Sequence, residues 1–201
     1  MSTDVMTDPE LLAALSGQQY LMLRPTGAVA AEFERVAAAV REIAPDGVSF
    51  PGAPHVTLGG FAVPDRLEEL RDCVSDWAAG SAPLRVAIEA LTVSSSPHRV
   101  VVLRVRRTAE LMAAMTAVRE KARQAGLIEL DDGIAPERWV FHLSVAYGRG
   151  VADEDWDRFA TEVAQLPVGP LEEEISEAEL AVYGRHEHRG VFPLGGATGE
   201  P

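Results

Sequence analysis

The tetrapeptide His55-Val56-Thr57-Leu58 has a counterpart in His142-Leu143-Ser144-Val145, and the two lie 87 residues apart (142 − 55). Successive strand side chains alternate between faces, so in each copy the imidazole and the hydroxyl share one face and the apolar residues share the other. One copy alone is what the solvent side of any half-buried strand looks like. Two copies in a chain with five histidines are another matter, since independent draws would give them in roughly one chain in two hundred. Pro83-Leu84 recurs as Pro170-Leu171 at the same offset (170 − 83 = 87), which points to a repeated half-unit.

The rest of the chain divides to match. The first half predicts a strand ending at Pro25 and a helix over 29–43, with Phe33, Val36, Ala37 and Val40 at helical spacing. The His55 strand, a helix over 65–79 and a strand beginning at Pro83 follow. The second half predicts a strand over 99–105, a helix over 108–124, the His142 strand, a helix over 153–166 and a strand over 175–183, with a short last strand near 190–194. Both halves therefore read strand, helix, His strand, helix, strand. Two such halves can be related by an approximate two-fold axis, and the His strands would then face each other across a cleft. A short helix over 9–15, opened by Asp8 and Pro9, belongs to an N-terminal extension (1–16). Residues 17–194 are expected to form a single bilobal domain and 195–201 a flexible tail.

Charge narrows the partners. A net charge of −13 repels a polynucleotide, because sequence-independent affinity for nucleic acid comes from Lys and Arg neutralising phosphates. No extended nucleic-acid surface is expected, and the basic island around Arg104 and Arg106 reads as a solvated strand face. The acidic runs at Asp153 to Asp157 and Glu172 to Glu174 read as solvated surface too. The N-terminal stretch has no basic n-region and nowhere do eighteen consecutive apolar residues occur, so neither export nor membrane insertion is expected. The single cysteine, Cys73, can form no internal disulfide and suits a buried place in a reducing, cytoplasmic protein. A monomer is expected.

Two opposed histidines suit a reaction that needs a base and an acid together, because an unperturbed imidazole titrates at about 6.5 and is found in both states near neutrality. In-line displacement at phosphorus is such a reaction: one group takes a proton from the incoming oxygen and another gives one to the departing oxygen on the far side. Thr57 and Ser144, two residues along the same faces, would offer hydroxyls to the non-bridging oxygens.

These paired motifs, with "YLMLRP", "HVTLGGF" and "WVFHLSVAYG" around them, resemble the two-histidine (2H) phosphoesterase superfamily, in particular its 2′-5′ RNA ligase-like and cyclic phosphodiesterase proteins. The resemblance covers nearly the whole chain and implies an α+β fold of two pseudo-symmetric α/β lobes around a central cleft. It implies a metal-free, cofactor-free phosphoesterase that hydrolyses a 2′,3′-cyclic phosphate of a small nucleotide or RNA end, with His55 and His142 as the acid-base pair and Thr57 and Ser144 as phosphate donors. In some members of the family it implies reversible 2′-5′ ligation. Two positions depart from the family pattern. Ser144 stands where threonine is more usual, and Tyr147 stands where many members carry a basic residue. Strand parity puts Tyr147 on the face opposite His142 and so in the core or a hinge. Arg24 and Arg149 are then the candidates to hold substrate charge. Trp139 and Phe61, with Phe50, are near enough to the motifs to stack on a base, although core packing is the commoner use for such rings.

Other chemistries find less support. His186 and His188 at strand spacing could begin a metal site, but no third ligand lies close by and a hairpin turn accounts for them. No Gly-x-Ser-x-Gly elbow occurs. A protein that only binds a nucleotide or phosphate in the same cleft remains the alternative of a different class, and turnover of a cyclic nucleotide separates the two.

Overall fold

The alternation visible in the sequence decides which side chains of a strand reach the main core. In β1 (Gln19–Leu23), Leu21 and Leu23 are buried in the main core while Tyr20 and Met22 belong to a separate apolar cluster on the other face. The computed structural model describes residues 9–95, 98–130, 133–184 and 186–195, so most of the expected tail and the first eight residues of the expected extension lie outside the described residues. Within them α1 (Pro9–Leu15) and β1 lead to α2 (Ala28–Ile43), β2 (Val56–Phe61), α3 (Leu67–Ala79) and β3 (Leu84–Ser94). Then come β4 (Val100–Val105), α4 (Ala109–Gln124), β5 (His142–Tyr147), α5 (Asp153–Val163), β6 (Glu172–Ile175), β7 (Glu177–Tyr183) and β8 (Glu187–Pro193).

Two antiparallel four-stranded sheets result, in the orders β2-β1-β7-β8 and β5-β4-β3-β6. Corresponding places are held by β2 and β5, by β1 and β4, and by β7 and β3. The two halves of the sequence are therefore interleaved: β3, from the first half, pairs with β4, and β7, from the second, pairs with β1. Helices cross over as well, α2 packing on β5 and β6 and α4 on β2. The repeat axis passes through the β3–β6 ladder. There Leu84 pairs with Ile175, and Ile88 donates its N–H to the Leu171 carbonyl at 2.8 Å, so two Leu–Ile pairs face each other across it. The repeated Pro-Leu dipeptide marks this seam.

The Glu172–Glu174 run, expected as plain surface, forms edge strand β6, where charge guards against pairing with another chain. Glu173 does more. Its carboxylate accepts the backbone N–H groups of Thr26, Gly27 and Val29 at 2.6, 2.7 and 3.0 Å, supplying the start of α2 with a cap that Gly27 has no side chain to provide. No described helix is long and apolar enough to cross a membrane.

Candidate active site

β2 and β5 are the edge strands of their sheets that meet at the cleft, and they bring the two motifs together. His55, Thr57, His142 and Ser144 all line one cavity of about 220 Å³. Both rings are tethered in the same way. His55 Nδ1 lies 3.2 Å from the Ala53 carbonyl, and His142 Nδ1 lies 2.9 Å from the Val140 carbonyl, each two residues back along the chain. A carbonyl can only accept, so each Nδ1 carries the hydrogen and each neutral ring keeps its lone pair on Nε2.

The rings differ in electrostatics. Burial pushes His55 down from 6.5 to about 4, a shift opposed by the Ala53 carbonyl and reinforced by the charges of His142 and Arg24. His55 is thus neutral at physiological pH.

A β-bulge interrupts each motif strand. Leu21 pairs with Gly59 and Met22 with Thr57, which leaves Leu58 as the extra residue of β2. Val101 pairs with Ala146 and Val102 with Ser144, which leaves Val145 as the extra residue of β5. The bulges are themselves 87 residues apart (145 − 58). An extra residue reverses the parity of everything after it. Tyr147, expected on the face away from His142, accordingly lines the cavity beside it. Burial raises the pKa of its phenol against the lowering influence of the neighbouring Ser144 hydroxyl and of the Arg149 charge. Gly60 occupies the corresponding place on β2, and a Cβ there would come within 3.0 Å of the Tyr20 ring.

Of the remaining candidates, Arg149 lines the cavity at an exposed position. Arg24 does not line it; its Nε pairs with Glu179 at 2.9 Å, in a nearly buried ion pair that Arg189 joins at 3.3 Å. Phe61 is fully buried in the core. Trp139 packs against the core with the Arg119 guanidinium 5.6 Å from its ring, and Phe50 packs there too, with Arg41 at 4.8 Å. None of these three rings lines the cavity. His188 lies on exposed β8, and no group of three or more metal-ligating side chains occurs among the described residues.

Sequence reasoning missed the apolar wall. Tyr20 and Met22 from β1, Tyr183 from β7 and Ala14 and Leu15 from α1 close one side of the cavity. Tyr20 and Met22 were detectable, since they share the non-core face of β1. Arg104, expected on a solvated strand face, is half-exposed; it lies directly across from His142 in the β4–β5 ladder and pairs with Glu89 at 3.7 Å.

Comparison with known proteins gives this geometry a context. The sequence profile of the 2′-5′ RNA ligase superfamily matches residues 25–187. No curated protein shows significant sequence similarity to the chain. Among solved structures, TT0787 of Thermus thermophilus superposes with a TM-score of 0.61 at 16% identity, over 90% of this chain and 99% of that one. The E. coli LigT structure complexed with 3′-AMP superposes with a TM-score of 0.55 at 13% identity, over 89% and 95% of the two chains. Kluyveromyces marxianus Usb1 with uridine monophosphate gives 0.55 at 12%, over 90% and 100%. At such identities the likeness is one of fold.

Proposed function

Because this chain belongs to the 2′-5′ RNA ligase superfamily of two-histidine phosphoesterases, we propose that it hydrolyses a cyclic phosphodiester of a small nucleotide or RNA end, without a metal. Neutral His55 takes a proton from water through Nε2 as the water oxygen bonds to phosphorus. The P–O bond to one ribose oxygen breaks on the opposite side, and His142, protonated at Nε2, gives that oxygen its proton. The product is a phosphate monoester and a free hydroxyl, and exchange with solvent resets both rings. Thr57 and Ser144 hold the phosphate by its non-bridging oxygens as charge builds on them.

The observation that carries this reading is the matched tethering of two imidazoles around one cavity, with one of them held neutral by burial. Hydrolysis of a small substrate is favoured over joining RNA ends by the −13 net charge and by a cavity of about 220 Å³, small beside the several hundred Å³ of sites for larger ligands. The solved relatives complexed with 3′-AMP and with uridine monophosphate support a ligand of nucleotide size.

The test is a panel of 2′,3′-cyclic nucleotides and 2′-5′-linked oligonucleotides, assayed with and without chelator. Turnover of a cyclic nucleotide should survive the chelator, and His55→Ala and His142→Ala should each lower kcat/KM by about a hundredfold to ten-thousandfold. The acid limb of the wild-type profile should lie near pH 4, where His55 gains its proton. Saturable binding of cyclic nucleotides with no turnover at any pH would make the cleft a binding site only.

A further inference from the structure

The two carbonyls that tether the histidines are themselves held by different means. Ala53, which accepts from His55, is buried, and so are Pro51 and Pro54 around it, so core packing fixes that carbonyl. Val140, which accepts from His142, is 52% exposed, and most of residues 133–138 before it are exposed as well. On the strand side of Val140, Phe141 is buried; on the other side the nearest fixed point is Trp139, whose ring packs partly on the core. The Trp139 Nε1–H is buried and meets no acceptor among the described residues, so packing and the Arg119 guanidinium, 5.6 Å from the ring, are what hold it.

Arg119 holds more than the ring. It projects from α4, the helix that packs on β2, and its Nε donates to Glu129 Oε2 at 2.6 Å while its Nη1 donates to the Ile134 carbonyl at 3.3 Å. The Arg119 and Glu129 side chains are only 11% and 9% exposed. The backbone around Glu129 is fixed to the His55 strand: Leu130 donates its N–H to the Gly60 carbonyl at 2.9 Å, and Ala62 donates to the Ile128 carbonyl at 3.1 Å. The chain thus leaves the end of β2 at residues 128–130 and arrives, at Val140, at the carbonyl that orients His142. One guanidinium fastens it at Glu129, at Ile134 and at Trp139. A buried ion pair adds little stability over well-packed apolar side chains of similar size, but few geometries satisfy both of its charges, so it suits a place where position matters.

Building on the phosphoesterase reading, we propose that Arg119 is a positioning residue for His142: by fastening Glu129, Ile134 and Trp139 to one helix, it holds the Val140 carbonyl where it keeps the hydrogen of the His142 ring on Nδ1 and leaves Nε2 to serve the departing oxygen. Arg119 does not line the cavity, so it touches neither ring nor substrate and acts through the Val140 peptide. His55 needs no such fastening, because its tether lies in packed core. Loss of Arg119 therefore acts on one histidine of the two.

The experiment compares the wild-type full chain with two variants. Arg119→Met combined with Glu129→Leu removes both charges together and strands neither in the interior, while Arg119→Lys keeps the charge but lacks the planar fork. Urea unfolding checks that each is folded. Nitrogen NMR of histidine-labelled protein at about pH 9, where free imidazoles are neutral, reads the tautomer of each ring, with His55→Asn and His142→Asn assigning the signals. In wild type both rings should carry hydrogen on Nδ1. In the double variant His142 should move to the mixed tautomers of a free imidazole while His55 stays, and Arg119→Lys should lie between. With 2′,3′-cyclic AMP the double variant should lower kcat about tenfold to a hundredfold and leave KM within about threefold, the pattern of a misplaced proton donor rather than weakened binding. A general loosening of the fold would change both rings alike. A His142 signal unchanged in the variants, an equal change at His55, or a double-variant kcat within about twofold of wild type would overturn the assignment. Should the double variant not fold, an unchanged His142 signal in Arg119→Lys overturns it and a shifted one with His55 constant supports it. If wild type turns over no cyclic nucleotide but the variants still lose the Nδ1–H tautomer at His142 alone, the positioning stands and the hydrolytic reading fails.

Discussion

Replacing His55 with asparagine should remove a pH-dependent loss of stability that the wild-type chain carries. In the folded chain His55 titrates near 4, against 6.5 for the free side chain. Between those values the unfolded chain holds a proton that the folded chain does not, so stability contributed by neutral His55 is complete above pH 6.5 and declines as pH falls toward 4. With these two constants, the decline between pH 7.5 and pH 5 comes to about 2 kcal/mol, approaching about 3 kcal/mol below pH 4. That is a large share of the roughly 5–15 kcal/mol by which domains are usually stable. Asparagine does not titrate, and its amide can still donate to the Ala53 carbonyl. Urea unfolding followed by tryptophan fluorescence at the two pH values gives the comparison, and groups titrating alike in both proteins cancel in the difference. The wild-type chain should lose about 2 kcal/mol more than the variant on going from pH 7.5 to pH 5. Equal losses in the two proteins would mean that His55 is not enclosed, and the choice of His55 as the base would lose its physical ground.

Two further substitutions probe the frame that holds the site. A Cβ on Gly148 would fall within the ring of Trp156, which is fully buried, so Gly148→Ala should destabilise the chain by about 1–3 kcal/mol as the indole is displaced, read as a lower urea midpoint at an unchanged slope. Glu173→Ala leaves the Thr26, Gly27 and Val29 N–H groups without their acceptor and should cost about 1–2 kcal/mol, with faster hydrogen exchange confined to the first turn of α2.

The general form of the fold was legible because period-two alternation and helical spacing are local properties, and the repeated motif linked the two halves. Which half would complete which sheet was not legible. β3 and β7 exchange partners through contacts across the repeat axis, and nothing in the alternation of β3 distinguishes pairing with β4 from pairing with β2. The acidic run at Glu172 to Glu174 shows the same limit in miniature, since its charge fits a solvated edge equally well whether or not Glu173 caps a distant helix. For the cavity, the four motif residues could be brought together by reasoning from the repeat, but Tyr147 could not. Parity is a counting argument, and one uncounted residue at Val145 reverses its answer.

Duplication also poses a chemical problem, because two equivalent histidines with equivalent tethers would titrate alike, whereas acid-base catalysis needs one of each kind. The difference lies beyond the motifs. Arg104 lies across from His142 in the β4–β5 ladder, and Arg24, just past the end of β1, stands in the corresponding place near His55 and reaches its ring electrostatically. Each arginine has its glutamate, Glu89 and Glu179. The side chains of Arg24 and Glu179 are 12% and 14% exposed, while those of Arg104 and Glu89 are 47% and 50% exposed. Water screens charge on the His142 side and is largely excluded on the His55 side, so burial and a less screened guanidinium disfavour the imidazolium at His55 in particular. In the proposed mechanism the asymmetry between base and acid therefore comes from how deeply each half of the duplicated scaffold is packed, and a charge-reversing change at Glu179 should shift the His55 acid limb while its counterpart at Glu89, open to solvent, leaves the profile nearly where it was.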